Sequence, residues 1–210
     1  SREEAVKAIE VGISMVADLK EKGYNVLATG EMGIGNTTTS SAVCSVLLDQ
    51  SVEKVTGKGA GLTNKDLEHK IEVIRQSIAL NKVNADDPLD VLAKVGGLDI
   101  AGMAGCYIGG AALNIPVFID GFISSVAALI AIRLVPECAP YLFPSHCSNE
   151  PAGRMILDAI GKQPYIFANM CLGEGTGAVM GFTIADYAFK AYWELPSFEQ
   201  TNFGTYEELN

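Results

Sequence analysis

Apolar residues recur at helical spacing from Ala5 through Leu19, behind Ser1, which has the chemistry of an N-cap; this predicts a helix over Arg2–Lys22 that Gly23 stops. Asn25 to Thr29 reads as a short buried strand. It delivers the chain into Gly30-Glu-Met-Gly-Ile-Gly-Asn-Thr-Thr38, after which a helix is expected from Thr38 to Leu48. Val55 to Asn64 contains Gly57, Gly59 and Gly61, too many for a regular element, and is expected to be a loop before a helix over Lys65–Leu80. From Asp87 the pattern becomes a series of αβ units. A helix spans Pro88 to Val95, and after Gly96-Gly97 a small-residue helix from Asp99 to Leu113 is suited to close packing on a sheet. A strand follows at Pro116–Asp120, then a helix from Ser124 to Leu134, a strand at Tyr141–Phe143 and the loop Pro144–Glu150. A helix to Ile160, a last strand at Tyr165–Ala168 and a long apolar helix that begins at Leu172–Ala178 complete the series.

Short apolar strands alternating with helices imply the α/β class: a doubly wound, mainly parallel sheet with helices on both faces, plus terminal helices. Residues 1–195 form one nucleotide-binding or catalytic domain in this reading, and 196–210 a polar, aromatic C-terminal tail. Ligands of such sheets bind beyond the carboxyl ends of the strands, where Gly30, Asp120, Ser145 and Ser148 would gather.

Composition narrows the function. The chain has 210 residues, 49% of them hydrophobic, enough for a real core and against disorder. A formal charge of −10 argues against nucleic acid or an anionic membrane, both of which need a basic footprint. The 5 cysteines are scattered, odd in number and never spaced as C-x-x-C, so neither a disulfide framework nor a zinc knuckle is indicated and reduced thiols fit best. No charged-then-apolar leader opens the sequence, and the most apolar run, Ile123 to Val135, is too short for a bilayer and carries Arg133. The expectation is a soluble, cytoplasmic protein.

Two constellations carry candidate chemistry. In the first, a strand, the loop Gly30 to Thr38 and a helix direct backbone N–H groups and a helix N-terminus to one place, which suits an anion. The G-x-x-x-x-G spacing is that of a P-loop, but Asn36 stands where the lysine is required, so triphosphate chemistry loses its cation and a monophosphate remains. The plain alternative is a tight turn without a ligand. In the second, Glu174 is a lone carboxylate in Leu172-Gly-Glu-Gly-Thr-Gly-Ala178 at the start of an apolar helix. It serves either the helix dipole or, with Leu172 and Met32 supplying modest desolvation, a general base approached through the glycines.

Other positions are more ambiguous. Asp120, followed by Gly121, can orient a ribose hydroxyl or cap the helix near Ser124, and Asp99 after Gly96-Gly97 has the same two readings. Lys70 can reach an anion from its helix, although a solvated surface lysine is the usual explanation. His146 and Cys147 are adjacent, which does not suit a nucleophile–base pair, and with 2 histidines in the chain a transition-metal site is not indicated. Ser145 and Ser148 fit phosphate binding better.

Gly30 to Thr39, Asp120-Gly-Phe-Ile-Ser-Ser125, Ser145-His-Cys-Ser-Asn-Glu-Pro151 and Leu172 to Ala178, in this order, resemble the nicotinate-nucleotide:dimethylbenzimidazole phosphoribosyltransferases, which make α-ribazole phosphate for the lower ligand of cobalamin. The resemblance runs from about Ser1 to about Ala191. It implies Glu174 as catalytic base with Glu31 as a second carboxylate nearby. It also implies phosphate contacts from Gly33, Ile34, Gly35, Asn36, Thr37, Lys70 and Ser148. Asp99, Asp120 and Gly121 would lie on the ribose or nicotinate side, and Met32, Leu172 and Gly173 would face the benzimidazole. The substrates implied are nicotinate mononucleotide and a benzimidazole-type base, with no metal or cofactor and with a homodimer as the assembly. Members of the family are longer, and the N-terminal portion that contributes to their small helical domain and base pocket is not in this sequence, which is either a fragment of a longer protein or, if complete as it stands, has an open base pocket. A P-loop-like nucleotide hydrolase and a non-catalytic nucleotide-binding module are the competing readings.

Overall fold

A computed structural model of the chain describes residues 1–201. Helix α1 (Arg2–Glu21) opens with a capping box: Ser1 Oγ accepts the Glu4 N–H at 3.3 Å while the Glu4 carboxylate accepts from Ser1. Strand β1 (Leu27–Ala28) leads through the glycine loop into α2 (Asn36–Leu47), and a short α3 (Val52–Val55) precedes α4 (Asn64–Asn81) and α5 (Pro88–Val95). Then come α6 (Leu98–Ala112), β2 (Val117–Ile119), α7 (Phe122–Leu134), a 3₁₀ turn at Pro136–Tyr141 and β3 (Leu142–Pro144). Helices α8 (Gly153–Ala159), α9 (Thr176–Glu194) and α10 (Phe198–Thr201) complete the described chain. The remainder of the tail, 202–210, lies outside the described residues.

Among the described residues the sheet has three parallel strands in the order β1-β2-β3, with Leu27 opposite Val117 and Phe118 opposite Phe143. The alternation of side chains along β2 shows how the sheet is covered. Val117 and Ile119 point into the main core with Tyr107, Val126 and Ile130, whereas Phe118 points the other way, its ring 5.3 Å from Phe182 of α9 and 5.8 Å from Phe143. Helices therefore lie against both faces, as the α/β pattern predicts. Tyr187, Phe189, Tyr192 and Trp193, in the second half of α9, are exposed.

Several boundaries differ from the sequence expectation for identifiable reasons. Helix α2 begins at Asn36 rather than Thr38, because Gly35 takes φ of 87° and turns the chain directly into the helix. Helix α7 begins at Phe122, right after Gly121, and Ser125 spends its hydroxyl on Gly121 O at 2.7 Å. The 3₁₀ turn absorbs Tyr141, so β3 starts one residue later than expected. Tyr165–Ala168 is not a strand: Ile166 alone forms a parallel bridge with His146, its N–H donating to Ser145 O at 3.1 Å.

The small residues of α6 serve two neighbours rather than the sheet alone. A methyl group on Gly105 would lie 2.0 Å from Ile9 O, and one on Gly12 would lie 2.0 Å from Gly102 O, so α1 and α6 cross with their backbones nearly touching. Gly110 lies against Val117 of β2. Any side chain at Gly12 or Gly105 would force these helices apart. No helix of the described residues is long and apolar enough to cross a membrane.

Candidate active site

The carboxyl ends of the three strands open onto a cleft of about 400 Å³, built from two glycine-rich loops and the segments after β2 and β3. The first loop, after β1, is held by its own carboxylate. Glu31 Oε1 accepts the Gly33 N–H at 2.5 Å and the side-chain amide of Asn36. Asn36, in the place of a P-loop lysine, thus fastens the loop to the start of α2. Gly35 is the N-cap of α2 and supplies no capping side chain, so the first amides of the helix face the cleft at Asn36 and Thr37.

A cation reaches this point from elsewhere in the fold. Lys70 on α4 is not the solvated surface residue that helical lysines usually are: it is 7% exposed, and Nζ donates to Thr37 Oγ1 at 2.8 Å and to Gly57 O at 3.0 Å. Burial pushes its pKa below the usual lysine range. Ser148, also buried, lines the same end of the cleft.

The second loop, Gly173-Glu174-Gly175, has three successive residues at positive φ, 74°, 58° and 82°. Glycine accepts this conformation freely, but at Glu174 it costs about 1–2 kcal/mol, a strain of the kind that persists where surrounding structure imposes it. Asp120, 1% exposed, is what imposes it. Its Oδ2 accepts the Gly175 N–H at 2.9 Å and its Oδ1 accepts the Ala178 N–H at 3.1 Å. Asp120 therefore caps α9 across the sheet, not the helix that follows it in sequence. Thr176 closes the turn by donating its hydroxyl to Gly173 O at 2.7 Å.

Beneath this loop lies His146, 2% exposed, so close that a methyl group on Gly177 would lie 2.0 Å from its Nδ1. Ser145 Oγ donates to Ile119 O at 2.8 Å, so its lone pairs receive the Nδ1–H of His146 at 3.0 Å. Burial holds the imidazole pKa below its ordinary value, while the Asp120 carboxylate acts in the opposite direction. Neither Ser145 nor His146 is on the cleft wall; they support the loops that are.

The cleft wall brings together Glu31 through Thr37, Asp120 and Gly121, Ser148, and Leu172 through Glu174. Lys70 stands behind Thr37. Asp99 is elsewhere, in the first turn of α6, with Oδ2 buried and without a hydrogen-bond partner. The desolvation expected around Glu174 is not present in this chain: Glu174 is exposed, and Met32 and Leu172 are 78% and 65% exposed, because nothing in the described residues roofs that side of the cleft. Sequence reasoning missed Glu150, which joins the wall beside Ser148 and whose pKa is raised by burial. Its only signal was its place in Ser148-Asn-Glu-Pro151. Among the described residues no group of three His, Cys, Asp or Glu side chains is placed to hold a metal ion.

A family model described as Phosphoribosyltransferase matches residues 1–203. The chain belongs to this phosphoribosyltransferase family. Within it, the nicotinate-nucleotide–dimethylbenzimidazole phosphoribosyltransferase of Ruminiclostridium cellulolyticum is 54% identical over 209 residues, covering 100% of this chain and 59% of the relative. The protein of the same name from Clostridium acetobutylicum is 49% identical, with the same coverage. Among solved structures, CobT from Thermus thermophilus superposes with a TM-score of 0.91 at 33% identity, covering 97% of this chain and 61% of that one. The chain thus spans about three-fifths of the length of these phosphoribosyltransferases.

Proposed function

We propose that the chain carries the catalytic half of a transferase that moves phosphoribose from nicotinate mononucleotide to 5,6-dimethylbenzimidazole, yielding α-ribazole 5′-phosphate and nicotinate. What supports this reading is that the start of α2 and Ser148 share one cleft with the Glu174 loop, that Lys70 donates to Thr37 behind that wall, and that Glu174 accepts no hydrogen bond from the described residues. The names of the relatives point the same way.

In this mechanism the 5′-phosphate is fixed by the first amides of α2 around Gly33 to Thr37, with charge from Lys70 and a hydroxyl from Ser148. Asp120 and Gly121 border the ribose, with Asp99 farther off. The benzimidazole lies over Met32, Leu172 and Gly173 and attacks C1′ with one ring nitrogen. The bond from C1′ to the pyridinium nitrogen breaks on the opposite face, its electron pair neutralising the ring, which leaves as nicotinate with inversion at C1′. Glu174 accepts the proton from the other benzimidazole nitrogen, so the new riboside is released without positive charge. Glu31, fixed in its own loop, contributes a second negative charge near the developing cation. Holding both reactants in line supplies much of the acceleration.

We further propose a cytoplasmic homodimer. The five free cysteines suit a reducing compartment, and the family resemblance implies the dimer. Incubating the protein with nicotinate mononucleotide and dimethylbenzimidazole tests the reading. Release of nicotinate with formation of the α-riboside is expected. Absence of product, or a β-riboside, would count against it.

A further inference from the structure

Glu150 lies on the cleft wall with Thr37, Gly59 and Ser148, a carboxylate at the end where an anion is expected to bind. That placement looks unfavourable until its surroundings are traced. Its Oε2 presses on the Cα of Gly57 so closely that a methyl group there would lie 2.0 Å away, and the same methyl group would lie 2.8 Å from Pro151 Cδ. The carbonyl of this glycine accepts from Lys70 Nζ, as Thr37 Oγ1 does. Lys70 and Glu150 therefore both meet Gly57, one at its carbonyl and the other at its Cα, near enough to feel each other's charge. A buried ammonium held only by neutral oxygens has lost much of its hydration and needs an opposite charge to stay ionised.

We infer that Glu150 is a positioning residue of the anion cradle, its carboxylate serving through Gly57 as the counter-charge that keeps the Lys70 ammonium ionised and seated at Thr37 before phosphate arrives. This role presupposes the phosphate assignment proposed above. Glycine at position 57 is part of the device, since any side chain would displace the carboxylate. Among the described residues, each of the two groups is the charge that acts on the other: burial lowers the lysine and Glu150 opposes it, burial raises the carboxyl and Lys70 opposes it. With the carboxylate neutralised, burial acts on Lys70 alone. The ammonium then deprotonates at lower pH, and phosphate affinity falls earlier as pH rises.

The test measures binding of ribose 5-phosphate, and KM and kcat for nicotinate mononucleotide, as a function of pH in the full protein and in Glu150→Gln and Lys70→Met. For Glu150→Gln the alkaline loss of affinity should move to lower pH, weakening ribose 5-phosphate on that limb by about tenfold for each pH unit the limb moves, with kcat at saturation little changed. A profile that overlays the parent, or tighter binding at alkaline pH from removal of a repelling charge, would overturn the role of Glu150. Lys70→Met separates this from the phosphate assignment. If it leaves ribose 5-phosphate affinity intact, the cradle itself is misassigned; if it weakens binding while Glu150→Gln does not shift the limb, only the role of Glu150 fails. A measurement on the unmodified protein guards against a misfolded variant: the ε-carbon resonance of Lys70 should show a second inflection when Glu150 titrates. Its absence would also overturn the inference.

Discussion

Gly30 and Gly175 meet backbone to backbone: a methyl group on Gly30 would lie 2.5 Å from the nitrogen of Gly175 and 2.6 Å from its Cα. The loop that starts the anion cradle and the loop that carries Glu174 are thereby joined into one wall of the cleft. Neither loop can shift without the other.

Replacing Gly30 by alanine should therefore separate the loops. The overlap is with backbone, which cannot rotate away, so a loss of about 1–3 kcal/mol is expected, read from the midpoint of urea denaturation. Transfer activity should fall as well, because Glu174 moves relative to the phosphate end. A variant as stable and as active as the parent would show that the loops do not depend on this contact.

Asp120→Asn should be more damaging than its small change in shape suggests. Asp120 accepts two backbone N–H groups at the start of α9, and an amide presents a donor to one of them while removing the charge that complements the helix dipole. About 2–3 kcal/mol of stability should be lost, and hydrogen exchange at Gly175 and Ala178 should accelerate selectively. Unchanged protection at those amides would contradict the capping role.

His146 makes stability depend on acid pH. Its pKa in the folded state lies below the ordinary imidazole value of 6.5, so the neutral ring contributes fully above that value. The contribution is lost as pH falls through the lower folded-state pKa, when the ring must take a charge beneath Gly177. Thermal unfolding followed from neutral to mildly acidic pH should show this decline, and His146→Asn, which retains a donor toward Ser145, should flatten it. An identical slope in the variant would place the acid sensitivity elsewhere.

The sequence showed most of what local pattern determines. The helical spacing around Ala5 to Leu19, Lys65 to Leu80 and Pro88 to Val95 became α1, α4 and α5 within a residue or two of expectation. The cleft residues on the two glycine loops were legible because glycines flank them just before a helix begins. Relationships that cross the sheet were not. Asp120 reads locally as a cap for the helix that follows it, yet its partners lie more than fifty residues onward in Gly175 and Ala178. Lys70 reads as a surface residue because nothing around it in sequence announces that Thr37 and Gly57 will close over it. Glu150 has no local signature, since its environment depends on Gly57 being a glycine. The last expected strand is reduced to one bridge, at Ile166.

The most direct test of the central claim compares Glu174→Gln with the parent in the full protein, measuring kcat for phosphoribosyl transfer beside the dissociation constant of nicotinate mononucleotide. Glu174 is exposed, on the loop facing the cradle, and accepts no hydrogen bond from the described residues, so its removal should leave the phosphate end intact. A loss of roughly 10²-fold or more in kcat is expected, the scale of a lost general base, with nucleotide affinity changed little. Turnover equal to that of the parent would contradict the assignment of Glu174 as the base.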